Sequence, residues 1–125
     1  MRLTVAQVED STSVFVVDGE NAINVTSVDA SLGPDLGAIV SGGAAALERV
    51  ATAAAAGASE PLANLNLALP IARPGKVICL GLNYADHAKE GGHEVPDYPS
   101  LFMRGTTSLM AAGAPMIRPN CSERL

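Results

Sequence analysis

The fifteen residues Lys76-Val-Ile-Cys-Leu-Gly-Leu-Asn-Tyr-Ala-Asp-His-Ala-Lys-Glu90 constrain the fold more than any other part of this chain. Residues 77–82 are apolar apart from one glycine and begin with β-branched side chains, the pattern of a strand covered on both faces. Pro74-Gly75 punctuates the chain just ahead of it. Gly81 has no Cβ, so the backbone there can turn sharply or approach a ligand closely. Asn83 has the side chain to cap a helix by accepting from an N–H two or three residues on, which predicts a helix starting at Tyr84. Asp86 then falls in the first turn, where the helix dipole favours a carboxylate, and Gly91-Gly92 supplies a left-handed stop.

Within that helix His87 and Glu90 are three residues apart, so their side chains share a face at about 5–6 Å between Cβ atoms. A carboxylate so placed can orient an imidazole or polarise a water that the imidazole touches, which makes the pair a candidate general acid/base unit. The same spacing also describes an ordinary solvated surface pair. Spacing alone leaves both readings open.

The residues before this stretch read as a small α+β domain. Leu3 and Val5, then residues 14–17, form two runs of strand formers separated by Glu9-Asp-Ser-Thr12, which predicts a hairpin. A third strand, residues 22–26, follows the turn-prone Asp18-Gly19. After Pro34, apolar residues recur at three and four positions, from Leu36 through Ile39, Leu47, Val50 and Ala54, the period of one helix face. Gly42-Gly43 interrupts the pattern, so a short helical turn is expected before Ser41 and the main helix over residues 44–56, with Ser41 or Gly42 as cap and Gly57 as stop. Residues 62–70 alternate so that Leu65, Leu67 and Leu69 share one side of an extended connector bracketed by Pro61, Pro70 and Pro74. A domain boundary is set near residue 70, giving a small N-terminal domain at 1–70 and the opening of a second domain at 71–125. Residues 91–99 are too rich in Gly and Pro for regular structure and suit a mobile lid, in which His93 and Glu94 are solvated loop residues. A short strand at residues 101–104 and another late in residues 113–119 complete the prediction.

Taken together, Pro74-Gly75, the 76–90 stretch, Pro96, Pro99, Leu101-Phe102 and Arg118-Pro119 closely resemble the fumarylacetoacetate hydrolase family in order and spacing. The resemblance is strong from residue 70 onward and looser before it. It implies a small N-terminal antiparallel sheet with a packing helix, followed by the opening strand, helix and loop of a β-rich catalytic domain. It further implies a hydrolase, isomerase or decarboxylase of small 2-oxo or β-diketo acids, such as acylpyruvate, fumarylpyruvate, oxaloacetate or 2-hydroxyhepta-2,4-diene-1,7-dioate types. The positions matching the family's catalytic dyad are His87 and Glu90, and the substrate-binding candidates are Asn83, Tyr84 and Arg104. A lysine usually stands in the family where Arg104 stands here; arginine can bind a carboxylate through two parallel bonds, though the two residues are not equivalent. The family's divalent ion, Mg²⁺ or Mn²⁺, is held by an acidic cluster with a Glu-x-Glu pair, and no such pair follows Glu90 in these 125 residues. No metal ligand is therefore assigned; the ligands are expected beyond Leu125, in a full-length homodimeric enzyme, and the isolated chain is expected to be inactive. A self-contained, non-catalytic interaction module docking through its hydrophobic helix is the alternative.

A formal charge of -5 argues against a nucleic-acid or anionic-membrane surface, since both need clustered Lys and Arg. Hydrophobic residues make up 48% but aromatics only 3%, so the core must be built from Ala, Val, Leu and Ile. Two cysteines give no disulfide framework and no zinc spacing: Cys79 reads as a strand core residue and Cys121 as a loop residue. The first ten residues lack the continuous apolar run of a signal peptide, and residues 51–58, the longest apolar stretch, fall far short of the roughly 20 needed to span a bilayer. A cytoplasmic protein with a small-molecule partner is expected.

Overall fold

A computed structural model describes residues 1–94 and 96–124, arranged as two compact units: residues 1–72 with 110–125, and residues 73–109. The predicted α+β class holds, with a small antiparallel sheet and helix in the first unit and a second sheet in the other.

In the first unit, β1 (Arg2–Val8) and β2 (Ser11–Asp18) form the expected hairpin, with Val5 opposite Val14 and Leu3 opposite Val16. Glu9 takes the left-handed conformation at the first turn (φ 51°) and Gly19 at the second (φ 59°), after which β3 (Asn21–Asn24) pairs back on β2. The third strand stops two residues short of the predicted end. Asn24 there accepts a bond from the Ser27 N–H at 3.0 Å and starts a one-turn helix, α1 (Val25–Val28). Thr26 ties that turn to the sheet, accepting from the Val14 N–H at 2.9 Å and donating to the Gly33 carbonyl at 3.1 Å. A fourth strand, β4 (Ser59–Pro61), was not expected; it joins β3, giving the order β1-β2-β3-β4.

Because side chains alternate across a strand, this sheet buries residues on both faces. Val5 and Val14 pack with Val25, Leu32, Ile39, Val50 and Ala53 on one side, while Ala6, Phe15 and Ala22 pack with Leu62 and Leu65 on the other. The covering helix, α2 (Leu36–Ala56), is capped by the Asp35 carboxylate, which accepts from the Gly37 N–H at 2.8 Å. Two helical stretches meet in it at a kink at Gly43 (φ 57°, ψ −138°), within the Gly42-Gly43 interruption that the sequence predicts. Gly57 ends it as expected, but with φ −81° rather than left-handed; a Cβ there would stand 2.5 Å from the Ile23 Cγ2, so close packing is what requires glycine.

The predicted connector begins as a 3-10 turn (Leu62–Asn64) and only then becomes extended. It is held to the free edge of β1, where the Gln7 N–H donates to the Asn66 carbonyl and the Ala68 N–H to the Val5 carbonyl, both at 2.8 Å. Residues 70–72 are pinned to the start of α2: the Leu36 N–H donates to the Pro70 carbonyl and the Ala72 N–H to Asp35, both at 2.9 Å. Residues 113–119 form no strand among the described residues; Pro115 and Pro119 lack an N–H to donate, and the segment is irregular between turns closed by the Ala114 N–H on the Ala111 carbonyl and the Ser122 N–H on the Pro119 carbonyl.

The second unit pairs β5 (Val77–Gly81) antiparallel with β6 (Ser100–Arg104) around α3 (Ala85–Glu90). The expectation that β5 is covered on both faces fails here. Its cross-strand pairs Ile78–Met103 and Leu80–Leu101 put one apolar face outward, with exposures of 61, 65, 43 and 65% respectively. Cys79, on the opposite face, is half-buried; Cys121 is exposed.

Candidate active site

The turn from β5 into α3 builds the site. Gly81 pairs with Ser100, and a Cβ on it would lie 3.2 Å from the Ser100 carbonyl oxygen, a tight contact that favours glycine at this strand approach. The left-handed residue is Leu82, at φ 52°, a conformation costing a non-glycine residue about 1 kcal/mol. Tyr84 is still extended (φ −114°, ψ 123°) and occupies the N-cap position without a side-chain bond, so α3 begins at Ala85, one residue later than predicted. Asn83 is consequently one residue outside the cap position and does not cap the helix. Its side chain is available to the cleft.

The far end of α3 closes as the two glycines predict. Gly92 is left-handed (φ 69°), the Gly92 N–H donates to the Lys89 carbonyl at 3.0 Å and the His93 N–H to the Ala88 carbonyl at 2.8 Å, the paired bonds of a Schellman stop. Ala88 is the buried residue of this short helix, while His87 and Glu90 are exposed.

Asn83, Tyr84 and His87 come together on one open cleft of about 450 Å³, walled by residues 80–82 and Phe102. Glu90 stands three residues along the same helix but does not line that cleft, and among the described residues no hydrogen bond joins it to His87. Arg104 lies at the end of β6 opposite Val77, exposed and outside the cleft wall. A smaller recess of about 250 Å³ shares residues 80–83 with the first and is completed by Pro96, Asp97, Tyr98 and Pro99. Sequence reasoning treated that segment as a lid and singled out neither Asp97 nor Tyr98; no spacing pattern marks them. His93 and Glu94 are exposed loop residues, and Val95 of the predicted lid lies outside the described residues, as does Leu125.

Among the described residues no group of three or more His, Cys, Asp or Glu side chains gathers as a metal site would require. The carboxylate most perturbed by its surroundings is in the first unit: Asp29 is lowered to about 2 by the Arg49 guanidinium and by Ser31.

Comparison with known proteins agrees with the β5–α3 motif. Residues 76–125 match the family model described as fumarylacetoacetate (FAA) hydrolase C-terminal. Over those residues the chain is similar to the fumarylacetoacetate hydrolase family. The mitochondrial oxaloacetate tautomerase fahd2 of Xenopus laevis is 31% identical over 130 residues, covering all of this chain and 41% of that protein. The human oxaloacetate tautomerase FAHD2A is 29% identical over 109 residues, 86% of this chain and 35% of its own length. An uncharacterized protein of Methanocaldococcus jannaschii is 45% identical over 53 residues, 42% of this chain and 22% of that one. The crystal structure of a protein provisionally assigned as HpcE from Mycobacterium smegmatis superposes with a TM-score of 0.67 at 23% identity, over 95% of this chain and 41% of its own, which shows a shared fold. The chain thus spans about two fifths or less of these relatives.

Proposed function

We propose that this chain works as part of a longer fumarylacetoacetate hydrolase family enzyme that hydrolyses, tautomerises or decarboxylates small 2-oxo or β-diketo acids. The observation that carries the proposal is the His87 imidazole opening onto a cleft of ligand size together with Asn83 and Tyr84. The oxaloacetate tautomerase activity named for the relatives supports it.

The proton chemistry belongs to this chain's own residues. Neutral imidazole can accept a proton from a bound water, freeing hydroxide for a carbonyl carbon, or from the carbon beside a 2-oxo group, and return it later in the cycle. Asn83 offers both an amide N–H donor and a carbonyl acceptor to hold the substrate's oxygens, and Tyr84 a phenolic hydroxyl. Glu90, on the same helix, is assigned the positioning role: its carboxylate favours the imidazolium that forms. A divalent ion, Mg²⁺ or Mn²⁺, would act as a Lewis acid on the 2-oxo acid, but the described residues do not form a donor set that fits it, so its ligands are proposed to lie outside this chain. Homodimerisation and a cytoplasmic location complete the proposal; among the described residues no helix is long and apolar enough to cross a membrane.

The test is His87→Ala in the natural full-length protein, assayed with acylpyruvate and oxaloacetate. Turnover should fall by roughly two to four powers of ten, the scale of a lost general base, with metal affinity unchanged. Glu90→Gln should cost less, because the amide still positions the imidazole. Full activity in His87→Ala would remove the proposed role.

A further inference from the structure

Three residues, 82–84, connect the end of β5 at Gly81 to the start of α3 at Ala85. Tyr84 is extended, so the chain changes direction at Leu82 and Asn83, and the left-handed φ of 52° falls on the leucine. A glycine stands one position earlier and does not take it, because Gly81 is held in the ladder opposite Ser100. Every other left-handed residue among the described ones is a glycine, apart from Glu9 in the exposed β1–β2 turn. The conformation is disfavoured for a leucine by at least about fivefold in population, and residues held in it against that preference cluster where a ligand is gripped. Leu82 is half-buried and walls the cleft onto which His87 opens.

Resting on the catalytic reading of His87, we infer that Leu82 is a positioning residue: its left-handed backbone, rather than its side chain, aims α3 so that Asn83, Tyr84 and His87 meet on one cleft. A leucine at the usual negative φ would rotate everything after it about the Leu82 N–Cα bond. Residues 80 and 81 would stay in the strand, while Asn83, Tyr84 and His87 would swing away from them together. Little on the helix side resists that swing, since α3 is six residues long and has one buried side chain, Ala88. A substrate that touches Asn83 and His87 at once binds only the left-handed turn, so a residue less tolerant of positive φ weakens binding in proportion to the molecules that relax.

Asparagine and valine separate backbone from side chain at this position. Asparagine tolerates the left-handed region but is polar, whereas valine is apolar but β-branched and a genuine outlier there. The experiment compares Leu82→Asn with Leu82→Val in the longer protein proposed above, measuring kcat, KM and Tm with oxaloacetate and acylpyruvate. KM should rise at least about fivefold more in Leu82→Val than in Leu82→Asn, with kcat at saturation similar in the two, because bound substrate restores the turn. The reverse order, with Leu82→Val the better enzyme, would make the side chain the active part and overturn the inference. Equal KM values with only Tm changed would also overturn it, leaving a structural turn. If Leu82→Val does not fold, Leu82→Asn decides alone: a KM within about fivefold of the parent keeps the inference and a larger rise overturns it. His87→Ala in the same assay tells the two readings apart. Full activity there removes the catalytic role and this inference with it, whereas lost turnover beside a flat Leu82 series removes this inference alone.

Discussion

Asp29 accepts hydrogen bonds from the Ser31 N–H at 3.1 Å, from the Ser31 hydroxyl at 2.6 Å, and from the Arg49 guanidinium through Nε at 3.0 Å and through Nη2. These bonds tie the turn after α1 to the body of α2. They lower the Asp29 carboxyl from 3.8 to about 2, first through Arg49 and then through Ser31. A carboxyl depressed in the folded state contributes stability that is fully present above its unfolded value and is lost as the pH falls through the folded one, here between about 4 and about 2. Both side chains are partly open to solvent, so salt should screen the effect. Arg49→Leu should therefore reduce stability at pH 6, and the difference from the parent should shrink as the pH falls from 4 to 2 and as salt rises. Urea melts across that range check it; a constant difference would assign Arg49 a packing role only. Nothing in the sequence marks this pair, because its members are twenty residues apart on different elements. The helix α3, by contrast, was legible from its Gly91-Gly92 stop. The separation of His87 from Arg104 was not, because the register that puts Arg104 opposite Val77 depends on a pairing across the 91–99 loop.

The elements the sequence announced are those whose ends are local. Asp18-Gly19 made the second turn of the sheet visible, and Gly91-Gly92 the end of α3, because each requires a backbone conformation that glycine adopts freely. β4 was hidden: its three residues include Pro61, and it exists through pairing with Asn21, Ala22 and Ile23, nearly forty residues earlier. The pairing of residues 66–68 with β1 was hidden for the same reason. The exposed face of β5 could not be read either, since a uniformly apolar run carries no alternation to show which side is covered. At α2 the sequence showed a break but not its mechanism. Gly43 sits at φ 57° and ψ −138°, a combination essentially confined to glycine, with open space where a Cβ would point. Gly43→Ala should thus cost stability through backbone strain alone, by about 1–2 kcal/mol. Gly57→Ala tests the opposite cause, a steric one, because its Cβ would meet the Ile23 side chain. Denaturant midpoints of the two variants measure both, and in an Ile23→Ala background, which lacks the Cγ2 methyl, Gly57→Ala should recover part of its loss. No recovery would mean that Gly57, too, is needed for its backbone.

At the scale of the molecule the two units differ in how much of their apolar surface is covered. The first unit buries both faces of a four-stranded sheet, one of them beneath α2, with Phe15, Leu32, Val5, Val14, Val25 and Val50 almost wholly removed from water. Among its described residues the second has two strands, each with an open edge, and turns Ile78, Leu80, Leu101 and Met103 outward. Two-stranded sheets are marginal in water, since three or more strands with a covered face are generally needed for independent stability. The helix beside this sheet is six residues long with one buried side chain, well below the length at which a helix holds itself. Local opening should therefore be much easier in the second unit than in the first. Hydrogen exchange of the 125-residue chain is expected to show the amides of Val77–Gly81 and Ser100–Arg104 exchanging at least about a hundredfold faster than those of Arg2–Val8 and Ser11–Asp18, a gap of roughly 2.7 kcal/mol in opening free energy. If the chain is part of a longer protein, as proposed, that gap should narrow where further chain covers the exposed pairs Ile78–Met103 and Leu80–Leu101. The cleft that carries His87 hangs from this same hairpin, so substrate positioning and hairpin stability should rise together. Equal protection of the two units in the 125-residue chain would show that the β5–β6 hairpin is stable without a cover, and would break that link.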